Sequence, residues 1–181
     1  MKSIDTMSLG ELAAFIDTHL RERGINVVLS GGASVAIYSD HKYVSKDLDF
    51  IGRFSIDHKK VESAMLEIGF ERQGRYYHHP NTAYFAEFIS GPPTVGQDPI
   101  SEIRDVKLAT GIVRVISPTD SVKDRLAAFY HWGDKQSLEQ ALLISRSNEI
   151  DMKSVELWSI REGKKNEFGE YKRRLKSDAY R

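Results

Sequence analysis

The sequence predicts an α+β fold: a mixed β-sheet flanked by helices over residues 1–117, followed by a helical part over 118–181 that packs on it. Three observations carry this. Short β-branched and apolar runs, cut by glycines and polar loops, fill the first two thirds. Helical periodicity takes over at Pro118 and runs to the end. No repeat and no low-complexity linker separates the two parts, so they are expected to form one packed body.

In chain order, Leu9, Leu12, Ala13, Ile16 and Leu20 recur at helical spacing, with Ser8 and Glu11 fitting a capping box and Gly24 placed to end the helix. Ile25 to Leu29 reads as a buried strand. Gly31-Gly32 reads as a turn, and Ala33 to Tyr38 as a short helix. The polar stretch Ser39 to Lys46 leads to a second strand, Asp47-Leu48-Asp49-Phe50-Ile51. Asp57 to Glu67 reads as a helix closed by Gly69. Phe70 to Tyr77 and Thr82 to Phe88 read as strands around His78-His79-Pro80-Asn81, and Ser90 to Gly96 as a loop with turn chemistry. Val106 to Leu108 and Ile112 to Ile116 read as two more strands. Thr119 is expected to cap a helix over Asp120 to His131. Lys135 to Arg146 gives the next helix, and a last helical region starts at Asp151 and weakens at Gly163.

The bulk properties exclude several classes. With 40% hydrophobic and 29% charged residues, the 181-residue chain has an ordinary globular composition and enough length for a core without staples. Basic and acidic residues balance at 26 each, so global charge gives nucleic-acid binding no support. There is no cysteine, which removes disulfides and thiolate metal sites. The first fifteen residues lack a signal-peptide pattern, and no apolar run reaches the roughly 20 residues of a membrane helix. The expectation is a cytoplasmic protein with no membrane contact.

The chemistry concentrates on two short segments. Residues i and i+2 of a strand share a face, so Asp47 and Asp49 project side by side while Leu48 and Phe50 face the core. Neighbouring carboxylates repel unless a cation lies between them, and a hard divalent ion that also clamps phosphate suits oxygen ligands. Glu87 is the acidic residue inside the apolar run Tyr84 to Ile89 and is expected as a third ligand from a neighbouring strand. Gly31 and Gly32, between strand and helix, let backbone amides approach phosphate, with Ser30 and Ser34 adding hydroxyls. Each piece has a structural alternative. A double glycine can be a tight turn, Asp-x-Asp a strand edge or cap, and Glu87 the partner of Arg72 or Arg75. Strand, Gly-Gly, short helix, then Asp-x-Asp some fifteen residues on is an uncommon order for accident.

That order, from Leu29-Ser30-Gly31-Gly32 through Asp47-Leu48-Asp49-Phe50, resembles the signature of the DNA polymerase β-like nucleotidyltransferase superfamily. The resemblance implies a nucleotidyltransferase-type sheet, with Asp47, Asp49 and Glu87 as catalytic metal ligands; the family usually has aspartate in the third position. Pro118 to Ala128 is similar to the helix that follows the core in AbiEii-like toxins of type IV toxin–antitoxin systems. Arg125 and Lys135 match that group's basic positions and Glu139 an acidic one, while Gln136 replaces its usual aspartate. Related bacterial nucleotidyltransferases with a Gly-Pro-Pro loop after the third carboxylate are more similar still.

What the resemblance implies is transfer of a nucleoside monophosphate from a nucleoside triphosphate to a hydroxyl, with magnesium, or manganese in its place, as cofactor. Ser30, Gly31, Gly32, Ser34, Arg125 and, second to Arg125, Lys123 would bind the nucleotide. The acceptor stays open between tRNA, a protein and a small molecule. The competing reading is a non-catalytic nucleotide-binding or interaction module, such as a toxin–antitoxin component with a cognate antitoxin-type partner. A metal-dependent phosphatase-like enzyme fits the Gly-Gly turn poorly.

Three further features read as structural. His78-His79 lies in a turn without zinc partners. The aromatics from Tyr76 to Phe88 suit sheet packing, with base stacking as the alternative. The basic cluster Tyr171 to Lys176 suits a solvated helix end, with RNA contact as the alternative.

Overall fold

The computed structural model describes residues 2–40 and 42–178. After a 3-10 turn at Ile4–Thr6, helix α1 spans Leu9–Glu22. The capping box forms as expected: Ser8 Oγ accepts from the Glu11 amide, and the Glu11 carboxylate accepts from the Ser8 amide at 2.8 Å. Strand β1 (Val27–Ser30), buried throughout, runs into α2 (Gly31–Tyr38), and β2 (Asp47–Gly52) follows. Helix α3 (His58–Glu67), capped by Asp57, leads to β3 (Glu71–Gln73), β4 (Tyr76–His78) and β5 (Phe85–Ile89). A small ribbon of β6 (Thr94–Val95) and β7 (Asp98–Pro99) precedes β8 (Ile103–Leu108) and β9 (Gly111–Ile116). Four helices complete the chain: α4 (Pro118–Trp132), α5 (Lys135–Ser147), α6 (Met152–Arg161) and α7 (Lys165–Asp178).

The main sheet has the order β3-β4-β5-β2-β1-β9-β8. The pairs β2–β5 and β1–β9 are parallel and the others antiparallel, so the sheet is mixed as the sequence predicts.

Several boundaries differ from the sequence expectation. The strand expected over Phe70 to Tyr77 breaks at Gly74, whose φ of +65° makes the turn between β3 and β4. Gly31 and Gly32 are the first turn of α2 rather than a linker before it. Ser117, not Thr119, caps α4: its Oγ accepts from the Asp120 amide at 3.0 Å, with Pro118 in the first turn, where a missing N–H costs nothing. Thr119 instead accepts from the Asp151 amide. Gly133, at φ +65°, ends α4 as a left-handed cap, and Gly163 separates α6 from α7.

Two apolar cores result. One joins the sheet to α1 and α3, with Leu12, Ile16, Phe50, Met65 and Phe70 fully buried. The other joins α4 to α7 around Leu126, Leu142, Trp158 and Tyr171. Helix α2 serves both. Ala33 and Ala36 pack on the first core and Val35 on the second, which is why its sequence is apolar nearly all round. Its N-terminus is thereby fixed at the seam between sheet and helices.

Tyr171 is therefore core rather than part of a basic surface. Lys172 and Arg174 pair with Glu156 and Glu139, so two of the four cations in this cluster are answered within the fold.

Candidate active site

The alternation of β2 sets the site. Leu48 and Phe50 are fully buried, whereas Asp47 and Asp49 are half-buried on the opposite face. Parallel pairing with β5 puts Asp49 directly beside Glu87, and antiparallel pairing with β1 puts it beside Ser30. One row across three strands thus reads Ser30, Asp49, Glu87, and the chain separations of 19 and 38 residues disappear in the register.

Gly31 adjoins this row and must be glycine for two reasons. Its φ is +64°, and a Cβ there would lie 2.1 Å from Asp49 Oδ2. The first turn of α2 therefore meets the Asp49 carboxylate closely. Ser30, at the cap position, makes no side-chain cap; its hydroxyl donates to the Asp49 carbonyl at 3.3 Å. Ser34 donates to the Gly31 carbonyl at 2.8 Å and is completely buried, so it shapes the turn instead of facing outward. Gly32 packs under the loop before β2, where an added Cβ would lie 3.0 Å from Ser45 Oγ and 3.3 Å from the Tyr43 ring.

Negative charge outweighs positive charge here. The Asp49 carboxyl is pushed up to about 6 by burial first and then by Asp47 and Glu87, against the pull of Arg125. Ser45 donates to Asp47 Oδ1 at 2.6 Å, and Arg75 lies 3.5 Å from Glu87 Oε1. The Arg75 alternative for Glu87 is thus realised alongside its place in the carboxylate row. With Asp47 drawn to Ser45 and Glu87 to Arg75, no three such side chains among the described residues already converge as a ligand set. The donor chemistry nonetheless fits a hard divalent cation: Asp49 is an anion raised by two neighbouring anions, and such an ion relieves that repulsion.

The helical part sends one cation to this region. Arg125 on α4 donates to Asp124 at 2.5 and 3.0 Å and to Gln140 Oε1 at 3.3 Å. Burial works against its charge, but Asp124, Asp49 and Tyr43 hold its pKa above the usual arginine value. Lys123 goes elsewhere: its Nζ donates to Ser154 Oγ at 2.9 Å and lies 3.9 Å from Asp120. Two residues span about 200° of helix, so the two cannot share a face. Of the two cations the sequence proposes, the structure brings Arg125 to the carboxylates and turns Lys123 into the helix packing. Lys135 is exposed, and Glu139 pairs with Arg174.

Tyr43, Ser45, Asp124 and Gln140 were not legible as site residues. Tyr43 lies within the field of Asp47, Arg125 and Asp134, and burial raises its phenol pKa. Its one sequence signal is an aromatic inside a polar loop, four residues before Asp47.

No family model and no curated protein matches the sequence. Solved structures do match in shape. A nucleotidyltransferase-like antigenic protein from Paracoccidioides brasiliensis aligns over 76% of this chain and 73% of its own, with 17% identity and a TM-score of 0.57. The antibiotic-resistance factor ANT(2'')-Ia in solution aligns over 98% of this chain and 99% of its own, with 14% identity and a TM-score of 0.58. Its crystal structure with adenylyl-2''-tobramycin aligns over 79% and 90%, with 14% identity and a TM-score of 0.53. No helix among the described residues is long and apolar enough to cross a membrane. The seven-stranded mixed sheet, its flanking helices and the helical C-terminal part together form a nucleotidyltransferase-like fold.

Proposed function

We propose that the chain transfers a nucleoside monophosphate from a nucleoside triphosphate to a hydroxyl-bearing acceptor. The observation that carries the reading is the Ser30–Asp49–Glu87 row against the Gly31 turn, where carboxylates accumulate and Arg75 and Arg125 offset them only in part. A neighbour of the same fold is described in complex with an adenylylated small molecule, which supports this class of chemistry.

Magnesium, with manganese able to replace it, would be held by Asp47, Asp49 and Glu87 and would neutralise the triphosphate. The first turn of α2 offers its free amides and positive dipole end to phosphate oxygens. Arg125 faces the same region and is suited to charge developing on the phosphates. The acceptor oxygen bonds to the α-phosphorus, the bond from that phosphorus to the bridging oxygen breaks, and pyrophosphate leaves. Glu87, released from Arg75, would either ligate the metal or take the hydroxyl proton. Lys123 has a packing role in this scheme.

The test is incubation with each α-labelled nucleoside triphosphate, magnesium, and separate pools of RNA, protein and small metabolites. Label should pass to one pool, and Asp49→Asn should lower transfer at least about a thousandfold, the scale of losing an essential electrostatic group. The Arg75–Glu87 pair favours one alternative, a module that binds nucleotide without transferring it. Triphosphate binding with no label in any pool would establish that alternative.

A further inference from the structure

The aromatics between Tyr76 and Phe88 divide by face. Tyr77 and Phe88 belong to the core, whereas Tyr76, His78 and Phe85 are half-buried on the other side, the side of the carboxylates. Ring centroids lie 5.4 Å apart for His78–Phe85, tilted by 34°, and 5.1 Å for Tyr76–Phe85, nearly perpendicular at 72°, so His78 and Phe85 form a shelf and Tyr76 stands at its edge. Register fixes its position: Phe85 is beside Asp47, and Tyr76 is beside Glu87. At the outer edge Glu71 pairs with His78 and Gln73 with Tyr76. The shelf is thus bordered by Asp47, Asp49, Glu87 and Glu71.

One cation lies on it. Arg75, from the turn between β3 and β4, sits 4.8 Å from the Tyr76 ring centroid and 3.5 Å from Glu87 Oε1. It is nonetheless 69% exposed, so little holds it there beyond those two partners. The chain itself therefore holds a guanidinium at this spot, against an aromatic ring and its hydroxyl and beside a carboxylate, and an ammonium could meet the same partners. Four carboxylates outweigh Arg75 and the neighbouring Arg125, and the excess negative charge repels a phosphate backbone.

We infer that the Tyr76–Phe85–His78 shelf is the acceptor subsite, and that it takes a molecule carrying an ammonium or guanidinium group beside a ring, whose cation displaces Arg75 from Tyr76 and Glu87. The word acceptor rests on the proposed transfer; the binding does not. Selection is by charge and stacking: the ring lies along Phe85 and His78, and the cation, against the Tyr76 face, brings the adjacent hydroxyl to the Asp49–Glu87 row.

The test uses the full chain without nucleotide, so its outcome is independent of transfer. The probes are a glucosamine trimer, maltotriose and a single-stranded RNA hexamer, followed by NMR of the aromatic side chains. The expected result is binding of the amino-sugar trimer with shifts at Tyr76, His78 and Phe85, and no comparable binding of the other two. Tyr76→Leu and Phe85→Leu should each weaken it about threefold to tenfold at unchanged melting temperature, the range of one cation–π or stacking contact. Arg75→Ala should tighten binding by a similar factor, because it removes the internal competitor. Arg72→Ala, the same charge change on a residue paired with Glu62, should leave it unchanged. Equal binding of maltotriose, preference for the RNA, absence of any binding, or an equal gain in Arg72→Ala would overturn the inference. Label transfer without shelf binding would leave the proposed function standing alone, and shelf binding without transfer the reverse.

Discussion

Two carboxylates in this molecule, one fully and one partly buried, have opposite fates. Asp17 on α1 is fully buried and completely answered: Arg114 on β9 donates to Oδ1 at 2.7 Å from its guanidinium and to Oδ2 at 2.7 Å from its amide. The same guanidinium donates to Asn26 at 2.8 Å. Asp49 on β2 is less buried, yet its closest charged neighbours on the sheet are further carboxylates. Asp17 closes its site within the fold; Asp49 leaves one open. A buried charge whose partners are all internal has a structural role. One surrounded by its own sign costs stability, and a ligand recovers that cost.

The comparison can be broken from either side. The largest effect should follow Arg114→Met, which takes the guanidinium from Asp17 and leaves it the backbone amide and Arg21 at 4.0 Å. Unfolding free energy should fall by about 3–5 kcal/mol in denaturant titrations, with activity per folded molecule unchanged. Gly31→Ala comes next. The left-handed backbone and the contact with Asp49 should cost about 1–3 kcal/mol and abolish triphosphate binding measured by calorimetry.

Asp49→Asn should do the reverse and stabilise the chain. The folded pKa, about 6, lies above the ordinary 3.8, so the folded state binds more protons between those values and wild-type stability falls as pH rises through that window. The advantage of the asparagine variant should be absent near pH 3.5, grow to pH 6, and level off at about 1–3 kcal/mol in thermal melts. The smallest change should be Lys123→Met, which loses a hydrogen bond to Ser154 and about 1 kcal/mol while transfer stays within about twofold. Arg125→Met should reduce transfer at least about tenfold.

Much of the site was readable because strand alternation is a strict rule. The period of two placed Asp47 and Asp49 together, and the lone glutamate in an apolar strand pointed to Glu87. What the sequence does not encode locally is register. Nothing near Glu87 says that it lies opposite Asp49 rather than Asp47, and nothing near Arg114 says that its partner is 97 residues away in α1. Ser34 and Lys123 show the matching limit. Their residue types suit phosphate binding, but the exact turn of a helix decides which way they face, and it buries both. The single strand expected over Phe70 to Tyr77 was also a register problem, since Gly74 turns the chain back on itself. That fold-back puts Arg75 and Tyr76 beside Glu87.

On the proposed function, a magnesium-bound triphosphate would fill the open carboxylate row. Thermal melts with each of the four nucleoside triphosphates and magnesium, at pH 7.5, test this most directly. Ligand at a hundred times its dissociation constant stabilises by about 2.7 kcal/mol. At least one triphosphate should therefore raise the wild-type melting temperature by several degrees in the presence of magnesium, with no rise in Asp49→Asn. An equal rise in that variant, or no rise with any triphosphate, would contradict the account.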